Sequence, residues 1–182
     1  MHVYLETDRL VLRRFTAADA DLLIELDSDP PVLRYLSTSP TPPETVRERV
    51  LPIILAGYEM WDGKFGVFAA QHKDTGAFLG WFFLRPEDGT TTDEVELGYR
   101  LRRDEWGKGY ATEGSRALID RAFTELKVHT VWADTMAVNR PSRNVLEKLG
   151  MTLTGTIDTP PDLADVEGAE HGGVRYEIST RP

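Results

Sequence analysis

The stretch Trp106-Gly-Lys-Gly-Tyr-Ala-Thr-Glu113 decides the interpretation of this 182-residue chain. It follows a segment, Glu94 to Leu101, in which apolar residues alternate with acidic or small ones, the pattern of a strand with one buried face. After it, apolar and small residues recur at helical spacing from Ala111 to Leu126. The sequence therefore predicts a strand, a glycine turn and a helix in succession.

The glycine turn has the features of a phosphate-binding loop. Gly107 and Gly109 can adopt backbone conformations that other residues avoid, and they let a ligand approach the main chain closely. The start of the following helix offers N–H groups without intrahelical partners and the positive end of the helix dipole. These features predict a cradle for a phosphate or diphosphate. A turn that only joins the strand to the helix is the alternative interpretation.

Two common nucleotide motifs do not fit this turn. In a P-loop, the lysine would be followed by Ser or Thr, which binds magnesium, whereas Lys108 is followed by glycine. A dinucleotide fingerprint has three glycines after a first strand, and this motif has the wrong spacing and comes past the middle of the chain. If the turn binds a phosphate, the ligand is therefore of another kind; for Gly-x-Gly taken alone, a turn that only joins strand and helix is favoured.

The segments on either side of the turn predict a mixed α+β protein. Strand-like segments cover residues 10–15, 65–70, 78–84, 94–101, 130–135, 151–157 and 174–180. Helices are predicted after the capping box at Thr16–Asp19, from Thr41 onward with a kink at Pro52, from Ala111, and from Asn139. This order implies a mixed sheet that is covered by helices.

The composition narrows the classes of protein to consider. With 30 acidic and 21 basic residues, the net charge is −9, so we expect no nucleic acid as a partner. The chain has no cysteine and its four histidines are scattered, so we expect no metal. No signal peptide and no apolar run of about 18 residues is present, so we expect no membrane span. A cytoplasmic protein is the expectation.

Three motifs in order resemble the GNAT superfamily of N-acetyltransferases, and within it the Rim-type branch, which acetylates the N-terminal amines of ribosomal proteins. The motifs are Leu5-Glu-Thr-Asp-Arg-Leu-Val-Leu-Arg13, then Glu96-Leu-Gly-Tyr99 with Trp106–Glu113, then Asn139-Arg-Pro-Ser142 with Leu146-Glu-Lys-Leu-Gly-Met151. The resemblance extends over almost the whole chain. It implies one acetyltransferase domain over residues 1–182, with a three-layer fold in which helices flank a twisted, mostly antiparallel sheet of about seven strands.

The resemblance also implies acetyl-CoA as the co-substrate. Backbone amides from Gly107 to Thr112 would hold its diphosphate, and the strand edge at Tyr99–Leu101 would pair with the pantetheine arm. Asn139 and Ser142 would lie beside the pantetheine and the thioester. The expected donor-binding residues are Tyr99, Leu101, Gly107, Lys108, Gly109, Tyr110, Ala111, Thr112, Asn139 and Ser142. Family members are often dimers, so the resemblance also suggests a homodimer.

The residues favour direct attack of an amine on the thioester. The chain has no cysteine for an acyl-enzyme and no Gly-x-Ser-x-Gly elbow. Such an attack needs a neutral amine, a donor to the oxyanion and a proton for the leaving thiolate. An α-amine has a reference pKa of about 7.7–8.0, against about 10.4 for lysine, so an N-terminal amine needs less help.

Each chemical role has a candidate residue and an alternative interpretation. Glu96, with Glu94 as a second candidate, is the expected base, unless it only accepts structural hydrogen bonds. A backbone N–H near Leu101 is the expected oxyanion donor. Ser142 is the candidate proton donor to sulfur, because the Rim-type branch places a serine there; it could instead cap its helix. Tyr176 is the substitute acid, unless it belongs to the core.

We therefore predict an N-acetyltransferase whose acceptor is a protein N-terminus, a polyamine or another small amine. The sequence does not choose among these acceptors. A catalytically silent acyl-CoA-binding module and a nucleotide-phosphate binder are the competing hypotheses. The acidic segment from Asp158 to Glu170 either attracts a cationic acceptor or forms a solvated loop.

Overall fold

A computed structural model gives the fold and describes residues 2–87 and 91–180. These residues form an eight-stranded sheet in the order β1-β2-β3-β4-β5-β6-β8-β7. The strands are β1 (Val3–Glu6), β2 (Leu10–Arg14), β3 (Gly66–His72), β4 (Phe78–Pro86), β5 (Glu94–Leu101), β6 (Thr130–Met136), β7 (Thr152–Ile157) and β8 (Gly173–Ser179). The mixed, mostly antiparallel sheet confirms the predicted fold class, and β1 is the strand that the sequence did not predict.

Helices cover both faces of the sheet. They are α1 (Ala20–Leu26), α2 (Pro30–Leu33), α3 (Pro43–Thr45), α4 (Leu51–Met60), α5 (Tyr110–Thr124) and α6 (Arg140–Lys148). In the described ranges, no helix combines the length and the apolar character that crossing a membrane requires.

A wide helical turn, Val46–Val50, joins α3 to α4 without a break. Its last bond runs from the N–H of Leu51 to the carbonyl of Val46, five residues back. The ring of Pro52 would clash with the carbonyl four residues before it in a regular helix. The wider turn relieves that clash, so the kink predicted at Pro52 takes the form of a π-turn.

The sheet buries a core on each face. The larger core lies under α5 and α6, where Leu97, Leu118 and Leu146 are at most 2% exposed. A smaller core on the opposite face joins Ala69 of β3 to Leu23 and Leu51 of the N-terminal helices. The sheet is therefore packed on both faces, which fixes the positions of the strand edges.

The sheet opens between β5 and β6. These two strands are the parallel pair, and they pair only from Glu94–Thr130 to Glu96–Trp132. Beyond Glu96, β5 continues to pair with β4 as far as Leu101, while β6 continues along β8 as far as Met136. Within the described residues, the edge from Leu97 to Leu101 therefore has no strand beside it on the β6 side. This open edge is a gap in which an extended ligand can pair with the main chain.

Candidate active site

The end of the open edge directs main-chain groups into the gap. Arg102 donates its N–H to Leu79 of β4 at 2.8 Å, so the preceding residue, Leu101, directs its N–H and carbonyl to the opposite side. The indole N–H of Trp106 donates to the Leu101 carbonyl at 2.9 Å. That bond occupies the carbonyl and leaves the Leu101 N–H directed into the gap.

The glycine turn follows directly and is exposed. Gly107 and Gly109 have φ of 75° and 86°, a region that glycine adopts far more readily than other residues. A Cβ atom added to Gly107 would meet no atom within 4 Å, so the space in front of the turn is open. Gly109 is the N-cap of α5, and Ala111 and Thr112 lie in the first turn of that helix. The structure thus forms the predicted succession of strand, glycine turn and helix.

Two side chains of the turn already have partners. The amine of Lys108 lies 3.0 Å from a carboxylate oxygen of Glu105. The ring of Tyr110 is 7% exposed and packs beneath the guanidinium of Arg9, whose central carbon lies 4.5 Å from the ring centre. The turn therefore exposes the main chain at Gly107 and Gly109, beside the half-exposed side chains of Trp106 and Lys108.

Alternate residues of β5 point to opposite faces of the sheet. We call the side of Val95, Leu97, Tyr99 and Leu101 the helix face, because it packs against α5 and α6. We call the side of Glu94, Glu96, Gly98 and Arg100 the charged face. The open edge of β5 lies between the two faces.

On the helix face, Tyr99 contacts Ser142 of α6. Their hydroxyl oxygens are 3.1 Å apart. Burial raises the pKa of Tyr99 to about 12, although the hydrogen bond to Ser142 opposes the shift. The N-cap of α6 is Asn139, whose side-chain oxygen accepts the backbone N–H of Ser142 at 3.3 Å. Asn139 rather than Ser142 therefore caps the helix, and the hydroxyl of Ser142 is directed to Tyr99.

Tyr176 lies under α6 and is 2% exposed. Its hydroxyl donates to Glu147 at 3.0 Å and accepts from the Nε of Arg143 at 3.1 Å. Both partners belong to α6, so these bonds fasten the helix to β8. The hydroxyl of Tyr176 is thus bonded within the fold, whereas that of Ser142 lies beside the open edge of β5.

On the charged face, Glu96 accepts both the Nη2 and the Nε of Arg85 on one oxygen, at 3.0 and 3.2 Å. Burial raises the pKa of Glu96, Arg85 opposes this shift, and the negative charges of Asp134 and Glu87 add to it. A carboxylate with a raised pKa is a better proton acceptor. The second candidate, Glu94, is exposed at the start of the strand.

Beside Glu96 lies an ion pair that the sequence did not predict. Both oxygens of Asp134 on β6 accept from Arg175 on β8, each at 2.8 Å. The guanidinium of Arg175 also lies over the ring of Trp132, 3.9 Å from its centre. Opposite charges on neighbouring strands were the only signal, and that signal has meaning only once the strand register is known.

Ion pairs hold two of the loops. Arg100 pairs with Asp27 after α1 at 2.5 Å. In the acidic segment, Glu167 pairs with Arg34, which directly follows α2, also at 2.5 Å. Gly168 lies against Val138, which precedes α6. The acidic segment therefore contacts its neighbours at these two points, while its carboxylates are exposed to solvent.

This arrangement suits acyl transfer. A carbonyl group placed at the open edge would have main-chain groups beside it, with the carboxylate of Glu96 on one face and the hydroxyl of Ser142 on the other. Glu96 and Leu101 lie five residues apart on β5, roughly 16 Å, so the carboxylate is not beside the Leu101 N–H. The described part of the chain contains no group of three or more His, Asp or Glu side chains placed to bind a metal ion.

Comparisons with known proteins identify similar chains. A family model described as an acetyltransferase (GNAT) domain matches residues 9–152. The FsC-acetyl coenzyme A-N(2)-transacetylase of Aspergillus fumigatus is 33% identical over 191 residues, which cover 96% of this chain and 75% of that protein.

Solved structures share the fold. A GNAT-family acetyltransferase from Bacillus anthracis superposes with a TM-score of 0.79 at 24% identity, covering 98% of both chains. RimL, described as a ribosomal L7/L12 alpha-N-protein acetyltransferase in complex with coenzyme A, has a TM-score of 0.79 at 16% identity, again over 98% of both chains.

Proposed function

Since the chain belongs to the GNAT acetyltransferase family and is an N-acetyltransferase, we propose that it moves an acetyl group directly from acetyl-CoA to a primary amine while both substrates are bound. The observation that carries this proposal is the open edge from Leu97 to Leu101, which ends at the exposed glycine turn. The structure of RimL in complex with coenzyme A gives further support, because that protein shares the fold.

The main chain binds the donor. Backbone amides from Gly107 to Thr112 hold the diphosphate, and each charge-assisted bond contributes roughly 1.5–3 kcal/mol. The edge at Tyr99 and Leu101 pairs with the pantetheine arm as an added strand would. Asn139 and Ser142 lie beside the far end of that arm. The open space in front of Gly107 supports this fit, because nothing in the fold blocks the approach.

Glu96 removes a proton from the acceptor through ordered water, because five strand residues, roughly 16 Å, separate it from Leu101. At pH 7 roughly a tenth of an α-amine is already neutral, whereas a lysine amine is almost wholly charged. A single carboxylate with a raised pKa is therefore sufficient help for an α-amine. This reasoning favours an α-amine over an alkylamine such as a lysine side chain. A polyamine, whose primary amines are about as basic as lysine, would need more help from Glu96.

Two groups on the donor side complete the reaction. The Leu101 N–H donates to the carbonyl oxygen as negative charge develops there. The neutral amine nitrogen bonds to the carbonyl carbon and then loses its second proton to solvent, and the carbon–sulfur bond breaks. Ser142 gives its hydroxyl proton to the sulfur and recovers one from solvent. The products are an amide, a free thiol and the proton that Glu96 took from the amine.

The acceptor is a protein N-terminus, as in the Rim-type branch, or a small amine such as a polyamine. The negative charges around Glu96 support a cationic acceptor.

The strands from Val3 to Ser179 share one sheet, which supports one acetyltransferase domain over residues 1–182. A homodimer stays a prediction, which the mass of the protein in solution would test.

The test is release of free thiol from acetyl-CoA with a panel of amines: basic N-terminal peptides, polyamines and aminoglycosides. We expect at least one amine to be acetylated, with initial-rate lines that intersect as both substrates vary. Parallel lines would show a covalent acetyl-enzyme and contradict direct transfer. Binding of CoA without thiol release for any amine would point instead to a silent acyl-CoA-binding module.

A further inference from the structure

A carboxylate in the first turn of α5 is held by the opening segment of the chain. The Nε and Nη2 of Arg9 lie 2.7 and 2.6 Å from one oxygen of Glu113. The other oxygen accepts the backbone N–H of Arg9 at 3.0 Å and the hydroxyl of Thr7 at 2.5 Å. Segments more than 100 residues apart in sequence therefore meet through four bonds on a single side chain.

The same guanidinium reaches the glycine turn. The Nη1 of Arg9 donates to the carbonyl of Lys108 at 3.0 Å. Its Nη2 lies 3.5 Å from the position that a Cβ atom of Gly109 would occupy. Arg9 therefore contacts the turn, the ring of Tyr110 and the carboxylate of Glu113 at once.

The bond to Lys108 fixes the direction of an amide. The peptide unit between Lys108 and Gly109 is planar and trans, so its N–H points away from its carbonyl. Because the Lys108 carbonyl points towards Arg9, the N–H of Gly109 points away from Arg9. In the proposed function, the diphosphate binds on that side of the turn.

Arg9 also compensates a negative charge. Burial raises the pKa of Glu113, but the hydrogen bonds from Thr7 and Arg9 outweigh burial and leave the pKa lowered. Glu113 is therefore ionised at neutral pH, in the helix turn whose positive end attracts phosphate. Without Arg9, this carboxylate would repel a bound diphosphate.

We propose that Arg9 is a positioning residue for the donor diphosphate, acting through the Lys108 carbonyl and the Glu113 carboxylate. The proposal rests on the proposed function, since it assumes that the turn holds acetyl-CoA. It goes beyond that function by giving a role to the opening motif. Arg9 need not touch the donor itself.

The test compares a donor that has the diphosphate with one that lacks it. For Arg9→Gln we expect the Kd of CoA, measured by calorimetry, to rise about tenfold, as for the loss of one charge-assisted contact. With acetyl-CoA, KM should rise equally while kcat at saturation stays within about twofold. With acetyl-pantetheine as donor, kcat/KM should equal that of the unmodified protein.

A matched control is available on the same helix. Arg116 of α5 donates to the carbonyl of Lys148 at 2.7 Å, away from the glycine turn. Arg116→Gln also removes one guanidinium–carbonyl contact, and it should leave the affinity for CoA unchanged. If Arg9→Gln and Arg116→Gln behave alike, Arg9 is only a structural anchor and the proposal is wrong.

Removing the uncompensated charge should restore binding. In the double variant Arg9→Gln/Glu113→Gln, the amide oxygen can still accept from Thr7 and from the backbone of Arg9, and the negative charge is gone. We expect it to bind CoA about threefold more tightly than Arg9→Gln alone, since like charges repel across the turn. Equal or weaker binding by the double variant would contradict the electrostatic part.

The outcomes separate this inference from the proposed function. If the unmodified protein binds CoA no better than pantetheine, the cradle itself is wrong. If it prefers CoA but Arg9→Gln loses equally on both donors, only the role of Arg9 is wrong. Should Arg9→Gln fail to fold, Arg9→Lys serves instead: it keeps the charge but loses the planar fork, and we expect a smaller loss that is again confined to CoA.

Discussion

The helix face and the charged face of β5 differ in what they offer a ligand. Near the helix face lie the main-chain groups of the glycine turn and two neutral hydroxyls, those of Tyr99 and Ser142. The charged face carries carboxylates paired with arginines, namely Glu96 with Arg85 and, nearby, Asp134 with Arg175. In the proposed function, donor binding therefore depends on the shape of the backbone, whereas acceptor binding depends on charges brought together from separate strands.

Glu96→Gln should have the largest effect on activity. It should change the chemistry at the charged face and leave donor binding unchanged. We expect kcat at pH 7 to fall about a hundredfold, because general bases typically contribute 10²–10⁴-fold. The affinity for CoA should not change. The matched control is Glu177→Gln on β8, which makes the same chemical change beside Trp132 and should keep kcat near the unmodified value.

The pH dependence of kcat gives a second measure of Glu96. Its pKa is raised, chiefly by burial, so the base is lost as pH falls through a value above the usual glutamate range. We therefore expect kcat at saturating amine to fall on the acid side at that value, and Glu96→Gln to abolish this fall. A variant with unaltered kcat and pH profile would make Glu96 a structural partner of Arg85.

Gly109→Val should act mainly on donor binding. A β-branched residue is strained at φ of 86°, and the altered turn would lose at least one charge-assisted amide bond. We expect the Kd of CoA to rise about thirtyfold, consistent with such a bond. Gly76→Val is the control, since Gly76 has φ of 69° and open space around it in the turn after β3.

The two glycine variants should lose similar thermal stability, but only Gly109→Val should lose affinity for CoA. Equal affinity in both would mean that the turn does not hold the diphosphate. The glycine turn would then have no role in binding the donor.

The smallest effects concern the two hydroxyls of the helix face. Ser142→Ala should lower kcat about tenfold, and Tyr99→Phe about threefold, while KM for acetyl-CoA changes little. Since the pKa of Tyr99 is about 12, its hydroxyl stays protonated and the effect of Tyr99→Phe should not vary between pH 6 and 9.

A double variant and a buried control sharpen this test. If Tyr99 acts only by holding Ser142, then Tyr99→Phe/Ser142→Ala should be no slower than Ser142→Ala alone. Tyr4→Phe is the control: Tyr4 is also buried, its pKa is also about 12, and its hydroxyl donates to the Lys64 carbonyl away from the site. An unaltered rate in Ser142→Ala would remove the proposed proton donor from the mechanism.

Much of the fold could be predicted because side-chain alternation survives in the sequence. In β5, apolar residues alternate as far as Leu101, and the structure buries them on the helix face. Strand β1 was missed because Val3–Glu6 has four residues, too few to show a period. The π-turn was predicted only as a kink, because a proline at position 52 indicates that the helix is distorted but not which geometry the distortion takes.

The parts of the site that could be predicted are those whose residues are contiguous in the sequence. The glycine turn could be predicted because its residues are contiguous and glycine marks an unusual backbone. The pair of Asp134 and Arg175 could not, since the two residues are 41 positions apart and meet only through strand register. The contact between Arg9 and Glu113 could be predicted only in part. Both residues lie within motifs quoted from the sequence, but neither motif indicates that the two side chains meet.

The short pairing of β5 with β6 has a consequence for the stability of the molecule itself. In the described residues, β5 and β6 pair through three residue pairs, and these join the two halves of the sheet. A ligand in the gap would extend this pairing along β5 from Leu97 onward. The amides there would exchange with deuterium fastest in the empty protein. If the gap holds the donor, then donor at a hundred times its Kd would stabilise the native state by about 2.7 kcal/mol, and the unfolding temperature would rise with the concentration of acetyl-CoA.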